Sequence, residues 1–282
     1  MQVRLTTHVP DAPAQPRRLD DGVLIGRADD CGVRIDHPSI SRMHASLEQV
    51  AGAWRLRDLG SKNGSYLDGV RLAANAAALS RAHWLRFGDV LCEFVILSVE
   101  QVAQADAAQA RRRNAATMHT MQLDRSSDID ELLAASLSGV LGLAQCDRGF
   151  VLIDESGRLQ VRASHGLDTD DPQAVAFRGS TGAVQRALQS RRSVVSNDIG
   201  AQAWLAERQS VVSAGLNAVV CLPLLDGDTA VGAIYADRAH AGPAITTLDL
   251  ELLEAFAERA ALWIVARGTA DAIAAAPSGA CG

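Results

Sequence analysis

A chain of 282 residues with a formal net charge of -6, 48% hydrophobic and 21% charged residues reads as a globular protein of two domains, since cores of roughly 100 to 150 residues are the commonest. The mildly acidic balance discourages bulk nucleic-acid binding, so any anion recognition has to be local. No run approaches the roughly 18 apolar residues of a membrane span, the opening MQVRLTTHVPDAPAQPRRLDD lacks the apolar core of a signal peptide, and Cys31, Cys92, Cys146, Cys221 and Cys281 stand singly, which predicts a soluble cytoplasmic protein without disulfides.

From Val23 to Val99 the apolar runs are short and β-rich: VLI, VRI, HASLEQV, AWRLRDL, SYL and WLRFGDVLCEFVIL, each bounded by Gly, Asp, Asn or Ser. That pattern predicts an all-β sandwich. Residues 100–127 change to Ala, Gln and Arg, with high helix propensity and a thin apolar stripe, and predict a partly exposed helical linker. Arg111 to Arg113 within it suit nucleic acid or a basophilic kinase, but a charged run on such a helix reads more simply as solvated.

Beyond Asp124 helices and strands alternate. A helix is predicted over SSDIDELLAASLSGVLGLA, with Ser127 three residues before Asp130 as a capping-box-like start and Ile129, Leu132, Leu133, Leu137, Val140 and Leu141 on one face. GFVLID and LQVRASHG predict a hairpin joined at Glu155 to Arg158; TGAVQRALQS a helix; VVSND a strand; QAWLAERQSVVSA a helix; AVVCLPLL and AVGAIYADR two strands turned at Asp226-Gly227. TTLDLELLEAFAERAALWIVAR predicts a closing amphipathic helix whose acidic residues complement its dipole, and residues 268–282 a disordered tail. The second domain is therefore expected to be α+β, an antiparallel sheet with flanking helices.

Three places in the first domain gather small polar and cationic residues at strand ends: Gly26-Arg27, SISRMHA from Ser39 to Ala45, and SKNG from Ser61 to Gly64. Arg27 can clamp an oxyanion with two parallel hydrogen bonds, Ser41 adds a hydroxyl, Arg42 and Lys62 add charge, and the Asn63 amide can donate to and accept from a peptide backbone at once. Four donors from three loops suit a phosphate of about -1.5 to -2 charges. His44, with no acid or nucleophile spaced to use it, is expected to tie loops together, while Gly26 and Gly64 maintain their turns.

GR, SISRMH, DLGSKNGSYLDG and LRFGDVLCEF together resemble the forkhead-associated (FHA) domain over about residues 3 to 99. The resemblance implies an eleven-stranded β-sandwich that binds phosphothreonine peptides at one end, with Arg27 and Ser41 holding the phosphate, Arg42 and Lys62 supporting it, and Asn63 gripping the backbone just after the phosphothreonine. Lys62 stands where the family often has Thr, which favours charge over a hydroxyl contact.

Residues Ile129 to Val265 are similar to a GAF domain through GSTGAVQRALQSRRSVVSNDI, NAVVCLPLLDGDTAVGAIYADR and TTLDLELLEAFAERAALWI. This resemblance implies either a small-ligand pocket or a structural dimeriser. The Asn-Lys…Phe…Asp-Glu signature of cyclic-nucleotide binders is replaced by Asp237-Arg238…Ile245…Asp249-Leu250, which disfavours that ligand. Cys146 and Cys221 read as buried small hydrophobes, and the seven histidines form no metal set.

The expected layout is residues 1–99 FHA-like, 100–127 linker, 128–267 GAF-like and 268–282 tail. The expected protein is a non-enzymatic bacterial signalling adaptor and homodimer, with no catalytic residue, metal, cofactor, nucleic acid or membrane. Its partners would be a threonine-phosphorylated protein, a Ser/Thr kinase and a small ligand of the GAF-like domain. Thr117 and Thr120, just after the three arginines, are candidate phosphosites. The alternatives are a sensory component of a transcription regulator acting with a separate effector, and a GAF-type methionine sulfoxide reductase, which would need clustered exposed cysteines.

Overall fold

The computed structural model describes residues 2–123, 128–155, 157–166, 181–197, 218–240 and 242–275. The chain divides into two compact units, Met1–Ala110 and Arg111–Gly282.

The first unit holds β1 (Gln2–His8), β2 (Gln15–Leu19), β3 (Val23–Gly26), β4 (Val33–Arg34), β5 (Ala45–Val50), β6 (Ala53–Asp58), β7 (Ser65–Leu67), β8 (Val70–Arg71), β9 (Ala77–Leu79), β10 (Ala82–Phe87) and β11 (Val90–Leu97). They form a six-stranded sheet, β2-β1-β11-β10-β7-β8, and a five-stranded sheet, β4-β3-β5-β6-β9. Every pairing is antiparallel except β3 with β4. Alternation drives the sandwich: Val90, Cys92 and Phe94 of β11 and Val3 and Leu5 of β1 are buried, as are Leu47, Trp54 and Leu56 of the other sheet. Trp54 and Phe94 meet edge-to-face, ring centroids 6.1 Å apart, so the two sheets close on an aromatic contact. Two strands, β1 and β2, precede the point where the sequence pattern first reads as β, because their charged outer residues Arg4, Arg17 and Arg18 interrupt the apolar runs.

His8 lies on the outward-facing side of β1 against Trp84, ring centroids 5.7 Å apart, and both ring nitrogens are buried without a hydrogen-bond partner. Burial lowers its pKa from 6.5 to about 4. The unfolded chain then takes up a proton that the folded unit refuses, so stability falls as pH drops from about 6.5 to about 4. The ceiling on this loss is about 3 kcal/mol at pH 4. Denaturant unfolding at pH 7 and pH 4.5 is expected to show a smaller decline in His8→Phe than in the native protein; equal declines would place the acid sensitivity elsewhere.

The second unit is built on a five-stranded antiparallel sheet, β13-β12-β16-β15-β14, from β12 (Arg148–Glu155), β13 (Arg158–His165), β14 (Val194–Asn197), β15 (Ala218–Asp226) and β16 (Thr229–Arg238). Its helices are α2 (Ile129–Ala144), α3 (Thr181–Ser190) and α4 (Thr247–Ala275), and α1 (Val99–Leu123) ends in it. One face of the sheet, through Val151, Val220, Leu222 and Ile234, packs on Leu133, Leu137 and Val140 of α2 and Leu253 and Phe256 of α4. The opposite face, through Phe150, Leu152, Cys221 and Tyr235, packs on Val184 and Ala187 of α3. Burial on both faces is why VVCLPLL reads as a nearly continuous apolar run. Pro223 is tolerated in β15 because the β14 pairing ends at Cys221, leaving no partner for its missing N–H.

Two helix boundaries differ from expectation. Asp128, not Ser127, precedes α2; its backbone is extended (φ −115, ψ 145), its side chain makes no cap hydrogen bond, and Ser127 lies outside the described residues. The helix expected over QAWLAERQSVVSA also lies outside them. Helix α4 runs on to Ala275, so the expected tail begins as helix, carried by Ala-rich sequence of high propensity.

The largest change concerns α1. Its first residues belong to the first unit, where Arg18 pairs with Asp106, but from Arg111 onward it belongs to the second. Ala116 is 6% exposed in the core, and His119 stands edge-on to Phe256 at 6.4 Å. Arg112 is not a solvated charge: its Nη1 donates to both oxygens of Asp249, at 2.9 and 3.0 Å.

Candidate functional site

The polar loops of the first unit are stitched together at one end of the sandwich. The Arg27 and Ala28 amides, just after β3, donate to the carbonyls of Ser41 and Arg42 (3.0 and 3.1 Å), joining the first loop to the second. The Lys62 amide donates to Ser41 Oγ (3.0 Å), and Asn63 Nδ2 donates to the Ser39 carbonyl (2.8 Å), joining the second to the third. Because Ser41 Oγ accepts from Lys62, its own hydrogen is left to donate outward. Asn63 likewise keeps its Oδ1 and a second N–H.

His44 is fully buried beneath these loops. The Ser41 amide donates to its Nδ1 (3.1 Å), which makes Nδ1 an acceptor, so Nε2 carries the hydrogen and donates it to the Gly64 carbonyl (3.2 Å). Burial, the largest influence, lowers its pKa and keeps the ring neutral in the one tautomer that satisfies both loops. The ring meets Phe87 edge-on at 5.6 Å. His44→Phe would leave the Ser41 N–H unpaired and strip the Gly64 carbonyl of one of its two donors, the Gly88 amide remaining, an expected cost of about 1 to 3 kcal/mol with weaker ligand binding. Unchanged unfolding midpoint and affinity would deny His44 its tying role.

Gly26 is required by close approach, since a Cβ there would lie 2.1 Å from the Arg42 carbonyl oxygen; Gly64 is required by its φ of +79. Asp58, within DLGS but not singled out from the sequence, organises the third loop. Its Oδ1 accepts from the Gly60 and Ser61 amides (2.9 Å each) and its Oδ2 from the hydroxyls of Ser61 and Ser65 (2.6 Å each). Burial raises its pKa, but these hydrogen bonds outweigh it and hold the carboxyl below its ordinary value.

This frame displays charge. Arg27, Arg42 and Lys62 are exposed, and no ion pair among the described residues engages them. Arg4, Arg18, Arg34 and Arg57 elsewhere in the unit do have carboxylate partners. Arg27 Nε reaches the Ile40 carbonyl at 3.4 Å, which leaves both Nη groups for a ligand. The loops thus present cations, a hydroxyl and an amide with spare hydrogen-bonding capacity, an arrangement whose chemistry is complementary to a compact dianion.

In the second unit, a groove of about 720 Å³ is bordered by Ser138 of α2, Gln145 just past its end, Asp147, His165 and His240. His240 Nδ1 lies 2.7 Å from Asp147 Oδ2. Asp237 and Arg238 are buried and structural: Asp237 pairs with Arg148 Nε (2.5 Å), and Arg238 donates to the carbonyls of Ala144, Gln145 and Pro243. Cys146 and Cys221 are buried, and burial pushes each thiol up to about 12, far from thiolate chemistry at neutral pH. Thr117 and Thr120 lie in α1 with their hydroxyls donating to the carbonyls of Arg113 (3.1 Å) and Ala116 (2.9 Å).

A model of the FHA domain matches residues 23–91, and a model of the GAF domain matches residues 128–264. The chain carries an FHA domain followed by a GAF domain. All eight residues singled out in the loops fall within the FHA match. FHA domain-containing protein FhaB of Mycobacterium tuberculosis is 48% identical over 46 residues, which are 16% of this chain and 30% of that protein. Kanadaptin of Homo sapiens is 26% identical over 132 residues, 40% of this chain and 18% of that protein. The chain therefore spans less than a third of the length of these curated relatives. Among solved structures, an FHA domain of Chlamydia trachomatis is 22% identical with a TM-score of 0.32, covering 35% of this chain and 100% of the other. A GAF domain from Pseudomonas syringae pv. tomato is 18% identical with a TM-score of 0.46, covering 61% and 99%.

Proposed function

We propose that this protein is a non-enzymatic signalling adaptor whose FHA domain binds a threonine-phosphorylated protein, downstream of a Ser/Thr kinase in the bacterial cytoplasm. The observation that carries this reading is the trio of exposed, unpaired cations, Arg27, Arg42 and Lys62, set around the Ser41 hydroxyl and the Asn63 amide on loops tied from below by His44. Arg27 and Ser41 take the phosphate, Arg42 and Lys62 add field, and Asn63 holds the peptide backbone. The GAF domain contributes self-association. Met118, Met121 and Leu262 are apolar, more than half exposed, and lie on its terminal helices. A dimer presents two phosphothreonine sites and gains avidity on clustered phosphoproteins.

Titration of the full chain with a phosphothreonine peptide, its unphosphorylated form and its phosphoserine form tests the reading. Micromolar binding of the first and none of the second is expected; equal binding of phosphorylated and unphosphorylated peptides would refute it.

A further inference from the structure

At the end of the sandwich opposite the phosphate loops, Ser80, His83 and Asp68 are linked in a chain of hydrogen bonds. β7 leaves the loops at Ser65 and ends at Leu67, and β10 runs antiparallel to it from Ala82 to Phe87, so Asp68 and His83 both fall at the far end. Asp68 and Gly69 have positive φ (47 and 84) and form the two-residue turn between β7 and β8. The turn carries the Asp68 carboxylate across to β10, where Oδ1 accepts from the Trp84 amide (2.9 Å) and Oδ2 lies 2.7 Å from His83 Nδ1. Ser80 arrives from the other sheet, between β9 and β10, and its amide and its Oγ each lie 2.9 Å from His83 Nε2.

The amide decides the tautomer. A backbone N–H can only donate, so Nε2 is the acceptor, and Nδ1 carries the hydrogen that Asp68 receives. Because Nε2 has no hydrogen, the Oγ contact is donated by the hydroxyl. A serine proton therefore points at an imidazole lone pair, and the imidazole is held by a carboxylate that stabilises the imidazolium formed when the proton moves. The His83 side chain is 17% exposed and Ser80 is exposed, which shields the base and leaves the nucleophile within reach. Next to it, the Arg81 carbonyl receives the Ile96 amide (2.8 Å). No hydrogen bond or ion pair among the described residues engages the Arg81 amide or guanidinium, so both remain to donate to an oxygen that turns negative. Closing the turn requires only the amide bond to His83; the hydroxyl on the same nitrogen is the feature that turn closure leaves unexplained.

We propose that Ser80 is an activated nucleophile that accepts an acyl group from an activated carboxylic ester, with His83 as its base and Asp68 as the positioning residue. Oγ bonds to the carbonyl carbon as its proton passes to His83 Nε2; the bond from that carbon to the leaving oxygen breaks, and the leaving oxygen takes the proton from Nε2. The products are an ester of Ser80 and a free alcohol, with no change of oxidation state. Ser80 is thus a covalent modification site on the adaptor, independent of the phosphothreonine reading, which concerns the other end of the sandwich.

The full chain is incubated with p-nitrophenyl acetate, nitrophenol release is followed by absorbance, and the acetylated residues are located by peptide mass mapping. Acetyl is expected on Ser80 ahead of every other serine, and more slowly in deuterium oxide, since a proton moves as the bond forms. Ser80→Ala should lose that adduct. His83→Gln should slow its formation about a hundredfold, the lower end of what a positioned base contributes. Asp68→Asn keeps an oxygen for the Trp84 amide but presents an N–H to His83 Nδ1, which drives the hydrogen to Nε2 and should also slow acetylation. Nitrophenol release beyond one equivalent, lost with Ser80→Ala, supports the nucleophile and adds hydrolysis of its ester by water.

A Ser80 that stays unmodified while other serines are acetylated overturns the proposal. So does a Ser80 acetylated at one rate in the native chain, in both His83→Gln and Asp68→Asn, and in deuterium oxide. If His83→Gln does not fold, Asp68→Asn and the isotope comparison on the native chain decide.

Discussion

Arg27→Ala is expected to weaken phosphothreonine-peptide binding by about two to three orders of magnitude while the FHA domain unfolds at an unchanged denaturant concentration. Removing one partner of a hydrogen-bonded charge pair costs about 2 to 5 kcal/mol, because the dianion is left desolvated against neutral groups. The fold is expected to tolerate the change because the part of Arg27 that matters structurally is its backbone: the amide donates to Ser41, and the guanidinium makes only the 3.4 Å contact with Ile40. Ser41→Ala makes a contrasting control, since it also removes the oxygen that receives the Lys62 amide and so should loosen the third loop. Calorimetric titration with parallel unfolding curves decides the matter. An Arg27→Ala protein that binds with native affinity would place the phosphate elsewhere.

The loops were legible because each is a contiguous string whose residue types serve one purpose, and because His44 lacked any partner for chemistry. Their support was not. Asp58 reads as an ordinary turn residue until the Ser65 hydroxyl, seven residues on, is seen to bond the same carboxylate. Asp68 and His83 are fifteen residues apart and meet only through the register of β7 and β10, which no local pattern specifies. In the GAF domain the apolar periodicity of α2 gave its buried face directly, because Leu132, Leu133, Leu137 and Val140 recur at helical spacing. The same criterion failed for α1. Of the residues that engage the second unit, Ala116, His119 and Arg112 make no apolar stripe, and the partner of Arg112 is 137 residues away.

That pairing sets the second large effect. Asp249 is 4% exposed and lies in the first turn of α4. Its Oδ2 accepts from the Thr246 amide (2.9 Å) and hydroxyl (2.8 Å), and its own amide donates to Thr246 Oγ1 (3.3 Å), a reciprocal cap that closes the helix N-terminus. Arg112 completes the set from α1. Asp249→Ala removes the cap, worth about 1 kcal/mol, and strands a guanidinium in a part-buried site, for a total of about 3 to 5 kcal/mol of GAF-domain stability. Arg112→Ala should cost less, since Asp249 keeps its Thr246 partners. The double variant should be less damaged than the two single changes combined, with a coupling of about 1 to 3 kcal/mol.

The consequence for regulation follows from helix geometry. Thr117 and Thr120 have both hydroxyls engaged within α1, and a kinase must draw its substrate into an extended conformation, so modification requires this half of α1 to leave the GAF domain and unwind. Trypsin makes the same demand at Arg111 to Arg113. Asp249→Ala is therefore expected to accelerate cleavage there well beyond the native rate under conditions where both proteins remain folded. Equal cleavage rates together with zero coupling would mean that the Arg112 contact holds nothing in place and that α1 behaves as the exposed spacer its sequence suggests.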